Sequence, residues 1–179
     1  MLTIKNTLLL IVDVQGKLAQ AMYAREQLFE NLVKVIKGAL ALGIPILVTE
    51  QNPRGLGPTI PEICGLLADC KTISKFSFSC CDNEAFMEAL RSLNPKNILI
   101  AGIESHICVY QTVRDLTKSN YDVQIITDAV SSRTPENRRI GIERGKDCGA
   151  ALTSVEMFLF EFVKDAQKSE FREILKIVK

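Results

Sequence analysis

The sequence NILIAGIESHICVYQT, residues 97–112, carries the clearest indication of how this chain folds. Its apolar residues 98–101 predict a short strand that is buried on both faces. Gly102 is expected to end this strand, and Ser105 stands where the N-cap of a following helix belongs. The apolar residues after Ser105 recur with a period close to the helical repeat of about 3.6 residues. Cys108 therefore lies in the first turn of a helix that follows directly from a buried strand.

Cys108 is a candidate nucleophile because of this position. The carboxyl ends of parallel strands are where open α/β sheets collect their ligands. The amide groups and the dipole of a helix N-terminus favour an anion, so the pKa of a thiol there is expected to fall toward reactive values. The alternative is that Cys108 only fills the core, since free cysteine is among the most buried residue types.

Strands and helices alternate along the rest of the chain. Apolar runs and helical periodicity predict strands at 8–12, 46–49, 71–75, 98–101, 123–127 and 151–154, and helices at 28–42, 83–93, 106–118, 135–149 and 155–164. We therefore predict an α/β fold, doubly wound, with three α/β/α layers around a mainly parallel sheet of about six strands. A chain of 179 residues fits a single domain, taken as residues 1–179.

Composition and charge exclude several classes of function. A formal net charge of +1 gives no electrostatic footprint for nucleic acid or for an acidic membrane surface. The apolar run 8–12 is too short for a membrane span, and the first residues have no signal-peptide pattern. We therefore expect no nucleic acid partner, no membrane association, and a cytoplasmic or organellar location.

We expect the six cysteines to be reduced thiols. A chain of this size does not need a disulfide framework, and nothing in the sequence indicates secretion. There is no C-x-x-C pair, and the adjacent Cys80 and Cys81 lack the spacing of a zinc site. We therefore expect no structural metal.

Two charged residues are predicted at strand ends. Asp13 follows the buried strand 8–12, where a carboxylate must meet a partner or shift its pKa upward, and it either serves in proton transfer or only caps the turn. Lys75 ends the strand 71–75 and either reaches into the protein or extends its amine to water. If that strand pairs with the first one, Lys75 can reach Asp13 and place a positive charge beside Cys108.

Four motifs lie at predicted strand ends, in the order LLLIVDVQ (8–15), SKFSFS (74–79), AGIESHICV (101–109) and ITDAVSSR (126–133). Together they resemble the isochorismatase-like cysteine hydrolase superfamily. The stretch TEQNPRGLGPTIPEI (49–63), rich in the glycine and proline typical of a functional loop, is similar to the isochorismatase-domain-containing branch. The resemblance covers roughly residues 5–165 and implies a hydrolase with a Rossmann-like fold.

The resemblance also implies a catalytic triad of Asp13, Lys75 and Cys108. In such a triad the Cys108 thiolate attacks a carbonyl, Asp13 takes and returns the proton, and Lys75 stabilises the charged forms of both. The backbone amides of Glu104 and Cys108 would form the oxyanion hole, next to a cis peptide between Ile103 and Glu104.

Four further residues are predicted to contact the substrate or to support the triad: Gln15, Phe76, Ser105 and Asp128. Gln15 and Asp128 lie at predicted strand ends on the same rim, where a structural role is equally open. Phe76 follows directly after the triad lysine. Ser105 stands where relatives commonly have Thr, which keeps the hydroxyl.

Two departures from superfamily patterns narrow the reaction. Nicotinamidases bind a metal through an aspartate and histidines after the second strand, whereas this chain has EQNPR at 50–54 and a single histidine, His106. His106 lies two residues from Cys108, about 200° away around a helix, so we do not expect it to act as a base for the thiol. Members that cleave the vinyl ether of isochorismate generally lack the nucleophilic cysteine, so Cys108 favours cleavage of an amide-like bond.

These features predict a metal-independent cysteine hydrolase that cleaves a C–N bond of a small molecule through a thioester. We expect no cofactor and, as relatives commonly are, a homo-oligomer. Two different functions stay open beside this one. One is that of a vinyl-ether hydrolase, and the second is that of a catalytically inactive interaction or scaffold protein of the same fold.

Overall fold

The computed structural model describes residues 2–179 and contains one six-stranded sheet in which all neighbouring strands are parallel. The strands are β1 (Thr7–Val12), β2 (Ile46–Gln51), β3 (Lys71–Lys75), β4 (Asn97–Ile103), β5 (Asp122–Ser131) and β6 (Ala151–Thr153). Their order in the sheet is β3-β2-β1-β4-β5-β6. The predicted α/β class, with its doubly wound parallel sheet, is confirmed.

Helices connect the strands and follow the last one. They are α1 (Gly16–Gln20), α2 (Arg25–Leu42), α3 (Pro53–Leu56), α4 (Pro61–Cys64), α5 (Glu84–Leu93), α6 (Tyr110–Lys118), α7 (Pro135–Asp147), α8 (Val155–Val163) and α9 (Ser169–Val178). A π-helical turn, Ser105–Val109, leads into α6. Among residues 2–179, none of the helices combines the length and the hydropathy that a membrane span requires. The cellular location stays a prediction.

The two faces of the sheet pack against different helices because strand side chains alternate. On β1, Leu9 and Ile11 belong to the core cluster that includes α2, α8 and α9. Leu8, Leu10 and Val12 belong to the cluster that includes α5 and α6. Every residue of β1 is buried, as expected for the central strand of a three-layer fold.

The strand order creates a topological switch point between β1 and β4. The chain adds β2 and β3 on one side of β1, and β4, β5 and β6 on the other. In doubly wound sheets, the crevice beyond the carboxyl ends of the strands at this point is the usual ligand site. Asp13 follows β1 and Cys108 lies in the turn after β4, so both belong to this end of the sheet.

The boundaries just before Cys108 differ from the predicted ones. Gly102 does not end the strand, because β4 continues to Ile103. At Gly102 φ is +119°, and a Cβ atom there would lie only 2.1 Å from the Val12 carbonyl oxygen, so glycine lets β4 pass close to β1. Glu104 is the N-cap, and Ser105 is the first residue of the π-helical turn rather than its cap.

Three other segments also differ from the expected pattern. The predicted loop 51–61 contains the short helix α3 and the start of α4, each with proline in its first turn. β5 extends beyond the predicted strand 123–127 as far as Ser131. The C-terminal helix α9 was not predicted, and its buried Ile174 joins the same core cluster as α2 and α8.

Gly141 lets α7 pack directly against the turn that carries Cys108. A Cβ atom at Gly141 would lie 2.4 Å from the Ser105 carbonyl carbon and 2.6 Å from the His106 backbone nitrogen. Both are backbone atoms that cannot rotate away. A side chain at this position would therefore displace the turn or the helix.

Gly141→Ala is expected to lower the free energy of unfolding by about 1–3 kcal/mol, because the added methyl group overlaps this backbone. Urea denaturation followed by circular dichroism measures the change. Gly65→Ala is the matched control, since Gly65 has a φ of −63° and nothing within 4 Å of its Cβ position. That control is expected to be neutral or to stabilise by up to about 1 kcal/mol. Equal stability of the two variants would contradict the close packing at Gly141.

Candidate active site

A buried ion pair joins Lys75 to Asp13. Lys75 Nζ lies 2.6 Å from Asp13 Oδ2, and the two side chains are 0% and 2% exposed. Lys75 Nζ also donates to the carbonyl oxygens of Ser77 and Phe78, at 3.1 and 3.2 Å. Asp13 Oδ1 accepts from the Thr49 hydroxyl at 2.7 Å. The ammonium group therefore has three acceptors, and both carboxylate oxygens have a donor.

The contact forms although the condition considered for it, pairing of β3 with β1, is not met. β3 pairs with β2 and not with β1, so β2 lies between the two charged residues. Lys75 is in register with Gln51, at the last position of β2. The long, flexible stem of lysine spans the end of β2 and carries the ammonium group to Asp13.

Cys108 lies at the same end of the sheet, buried in the π-helical turn. Its thiol donates to Gln51 Oε1 at 3.1 Å. Gln51 Nε2 in turn donates to the Phe76 carbonyl oxygen at 3.1 Å, which fixes the orientation of the amide. Cys108 and Asp13 line the same pocket. The structure thus brings Asp13, Lys75 and Cys108 together.

The pKa of the Cys108 thiol is raised well above its ordinary value, so the lowering expected at a helix N-terminus is wrong for the resting protein. Burial is the largest cause, the negative charge of Asp13 raises the pKa further, and the positive charge of Lys75 offsets only part of this. The resting sulfur is therefore a neutral thiol. The Asp13 carboxylate interacts with this thiol and lines the same pocket.

The pKa of Lys75 is raised as well. Burial lowers it, but the thiolate form of Cys80, the Asp13 carboxylate and the thiolate form of Cys108 raise it by more, the two thiolates acting only at high pH. Because folding raises this pKa, the stability that comes from the ion pair is present at neutral pH. It is lost only as the pH rises past the ordinary range of lysine and through the raised value.

A second buried thiol, Cys80, lies behind the ion pair. Its sulfur is 3.8 Å from Thr49 Oγ1, and its backbone amide donates to Thr112 Oγ1 at 3.0 Å. Burial raises the pKa of Cys80 to about 11; Lys75 lowers it and Asp13 raises it by smaller amounts. Cys80 is therefore protonated at neutral pH. Since it belongs to the core cluster beneath α5 and α6, its role is packing.

A pocket of about 280 Å³ opens onto Cys108. Its polar lining consists of Asp13, Gln51, Asn52, Glu104 and Cys108, and its apolar lining consists of Leu18, Leu56, Phe78, Ile103 and Ile107. A larger open groove, of about 970 Å³, runs between α2 and α9 and contains none of the predicted site residues. The smaller pocket is therefore the candidate site.

The backbone before Cys108 has one of the two features that the resemblance implies. The Ile103–Glu104 peptide bond is cis. The Glu104 carbonyl oxygen accepts from the amides of Ile107 and Val109, on either side of Cys108, at 3.0 and 3.2 Å. The binding of an oxyanion by the amides of Glu104 and Cys108 stays a prediction.

Two of the four predicted support residues lie next to pocket residues. Gln15 is buried and links the end of β2 to the loop after α3. Its Nε2 donates to the carbonyl oxygens of Gln51 and Gly57, and its Oε1 accepts from the Gln51 amide. Phe76 is 79% exposed and does not line the pocket, although its carbonyl oxygen holds Gln51. Phe78, which was not predicted, forms the aromatic wall instead.

The other two predicted residues support neighbouring elements. The Ser105 hydroxyl is 2.6 Å from Ser132 Oγ, which is also 2.9 Å from His106 Nδ1. Asp128 does not reach the rim, because β5 continues beyond it, and its carboxylate accepts from the Val155 amide at the start of α8. Neither Ser105 nor Asp128 lines the pocket.

Gln51 and Thr49 were not predicted as site residues. Both lie near the end of β2, which is the neighbour of β1, so they share an edge of the sheet with Asp13. Their position at the end of a strand next to β1 is the feature from which they could have been predicted. Within residues 2–179, no group of three or more His, Cys, Asp or Glu residues is arranged to hold a metal ion.

Comparison with known proteins gives concordant results. The family model for the isochorismatase domain matches residues 7–157. Isochorismatase domain-containing protein 2 from Xenopus laevis is 32% identical over 174 residues, which is 97% of this chain and 84% of the relative. The structure of MAR1 ribonuclease from Caenorhabditis elegans has a TM-score of 0.93 at 31% identity and covers 99% of this chain and 91% of that one.

A more distant structure shares the fold. YcaC from Escherichia coli, described as an octameric hydrolase of unknown specificity, has a TM-score of 0.92 at 22% identity, over 98% of this chain and 89% of that one. The region matched by the family model begins at β1 and ends within α8, so it includes Asp13, Lys75 and Cys108. The chain therefore belongs to the isochorismatase domain family, within the isochorismatase-like hydrolase superfamily.

Proposed function

We propose that this protein is a metal-independent cysteine hydrolase that cleaves the C–N bond of a small amide-like molecule. The proposal rests on one observation: Asp13, which forms a buried ion pair with Lys75, lines the same pocket as the Cys108 thiol. A carboxylate beside a neutral thiol is the arrangement needed for general-base activation of a nucleophile. Lys75 donates a hydrogen bond to this carboxylate and places a positive charge beside it.

The first half of the reaction forms a thioester. Asp13 takes the Cys108 proton as the sulfur attacks the carbonyl carbon of the substrate, and the carbonyl oxygen becomes an oxyanion. The backbone amides of Glu104 and Cys108 donate to that oxyanion. Asp13 then gives its proton to the departing amine, the C–N bond breaks, and the acyl group remains on the sulfur.

The second half hydrolyses the thioester. Asp13, again ionised beside Lys75, takes a proton from water as the water oxygen attacks the thioester carbonyl. The tetrahedral intermediate collapses, the C–S bond breaks, and Cys108 recovers the proton from Asp13. The products are a carboxylic acid and an amine, and the triad returns to its resting state.

We also propose that the protein acts as a homo-oligomer. The octameric state of YcaC supports this for a protein of the same fold. Several large apolar side chains are exposed on this chain, among them Phe76 and Met157, and a second copy could cover them.

RNA cleavage is a second candidate, because the Caenorhabditis elegans relative is called a ribonuclease. The site itself favours amide hydrolysis. RNA binding relies on Lys and Arg that face phosphates, whereas the ionisable pocket residues are Asp13, Glu104 and Cys108. Neither cleavage of a vinyl ether nor an inactive scaffold role requires a thiol nucleophile, so the position of Cys108 beside Asp13 favours amide hydrolysis over both.

Cys108→Ala is expected to lower the rate of amine release from small amides by about 10³-fold or more, because it removes the nucleophile. A panel of carboxamides assayed for ammonia, with a short RNA assayed in parallel, measures this. Cys64→Ala, which removes an exposed thiol, is the control and is expected to keep the wild-type rate. Unchanged amine release by Cys108→Ala would refute the nucleophile, and cleavage of RNA alone would favour the second candidate.

Lys75→Met is expected to lower the free energy of unfolding by about 3–5 kcal/mol at neutral pH, because it leaves the Asp13 carboxylate buried and unpaired. Adding Asp13→Asn is expected to recover part of this loss. Chemical denaturation measures both variants. Lys96→Met removes a largely exposed ion pair with Asp122 and should cost no more than about 1 kcal/mol. Losses that simply add in the double variant would contradict the coupling of the buried pair.

A further inference from the structure

The pocket beside Cys108 has mostly apolar walls. Leu18 of α1, Leu56 of α3, Phe78 after β3 and Ile107 of the π-helical turn surround the sulfur together with Ile103. The volume of about 280 Å³ lies just below the range of about 300–1,000 Å³ that is usual for ligand pockets. The pocket therefore fits a small molecule with an apolar part.

The charges at this pocket are already paired within the protein. Asp13 is bound by Lys75, whose three donors are all used, and the Glu104 carboxylate accepts from Arg133 Nε at 3.0 Å. Of the residues that line the pocket in the described part of the chain, none is Lys, Arg or His. A substrate carboxylate would lose its hydration beside Asp13 without gaining a cation, which is costly.

The Gln51 side chain is a neutral polar group in hydrogen-bond contact with the sulfur. Its Nε2 is engaged by the Phe76 carbonyl oxygen, so its Oε1 is presented as an acceptor beside Cys108. The Gln51 backbone is held in turn by Gln15. A fixed acceptor at this place suits a substrate N–H next to the carbonyl that the thiol attacks.

We infer that the substrate is an uncharged amide with a compact apolar acyl group, and that Gln51 selects it by accepting a hydrogen bond from the amide N–H. This inference rests on the proposed function and adds its substrate class. The acyl group lies against Leu18, Leu56 and Phe78. Carboxylate-bearing amides are excluded because the pocket offers them no cation.

The same hydrogen bond links recognition to activation of the thiol. In the resting protein the Cys108 thiol donates to Gln51 Oε1. A substrate N–H competes with the thiol for Gln51 Oε1, and a thiol proton that leaves Gln51 has the Asp13 carboxylate as its neighbouring acceptor. Gln51 is thus a specificity-determining residue, distinct from the residues that carry the proton.

Binding to the Cys108→Ala protein tests the substrate class without depending on turnover. Calorimetry compares 4-methylpentanamide with succinamate, in which a carboxylate replaces the isopropyl group. We expect the uncharged amide to bind at least about 10-fold more tightly. Equal or tighter binding of succinamate, or no binding of either compound at millimolar concentration, would overturn the inference.

A positive charge introduced into the pocket wall should remove much of the preference for the uncharged amide. Leu56→Arg in the Cys108→Ala background is expected to tighten succinamate binding relative to 4-methylpentanamide by about 10-fold, since it supplies the missing cation. Leu56→Gln, which is polar but uncharged, is the control and should leave the ratio near that of Leu56. A ratio unchanged by the arginine would show that the wall does not contact the acyl group.

The role of Gln51 is tested with a ligand that lacks the N–H. 5-Methylhexan-2-one replaces the amide nitrogen of 4-methylpentanamide by a methyl group, and the Gln51 protein is expected to prefer the amide by about 10-fold. Gln51→Met keeps the length of the side chain and removes the acceptor, so the two ligands should bind about equally. A preference that survives Gln51→Met would overturn the assignment. Turnover by the protein with an intact Cys108 is measured separately, so the failure of this inference and that of the proposed hydrolysis are distinct results.

Discussion

The buried contact between Lys75 and Asp13 is the constraint on which the candidate site, at the carboxyl ends of the strands, depends. Removing two charges from water costs several kcal/mol per ion, about as much as the net stability of a small protein, unless partners replace the water. Here the partners come from three places: the Thr49 hydroxyl on β2 and the carbonyl oxygens of Ser77 and Phe78. The loop after β3 must therefore turn back over the ammonium group. That turn also brings the Phe78 ring to the pocket.

The other half of the site is arranged by close backbone contacts instead of charge. Gly102 lets β4 run beside β1 to its end, and Gly141 lets α7 press against the turn that holds Cys108. These contacts hold a buried sulfur, whose pKa is raised by burial and by Asp13, at the mouth of a pocket. In the proposed reaction, this sulfur depends on a neighbour that can take its proton. A low intrinsic pKa is not required.

The sequence was sufficient for the sheet and for part of the site. Continuous apolar runs identified β1 and β4 because such runs are typical of strands buried on both faces, and Asp13 and Cys108 follow from their ends. Side-chain reach was not predictable: Lys75 meets Asp13 across an intervening strand. Asp128 was misplaced because it lies in the register break between Ile125 and Val130, so β5 reaches the end of the sheet only at Ser131, in register with Ile103. The role of Gln51 depends on tertiary contacts with Phe76 and Cys108, and these cannot be predicted from the presence of a neutral side chain in the sequence.

The most direct test is the pKa of Cys108 with and without the charge on Asp13. The pH dependence of iodoacetamide alkylation at Cys108, followed by peptide mass spectrometry, gives this pKa in wild type and in Asp13→Asn, with circular dichroism as the check of folding. Since Asp13→Asn removes a negative charge and leaves Lys75 facing the thiol, we predict that alkylation moves at least about one pH unit lower while amide hydrolysis is lost. A pKa of Cys108 that is unchanged or higher in the variant would contradict the coupling of the sulfur to the buried pair.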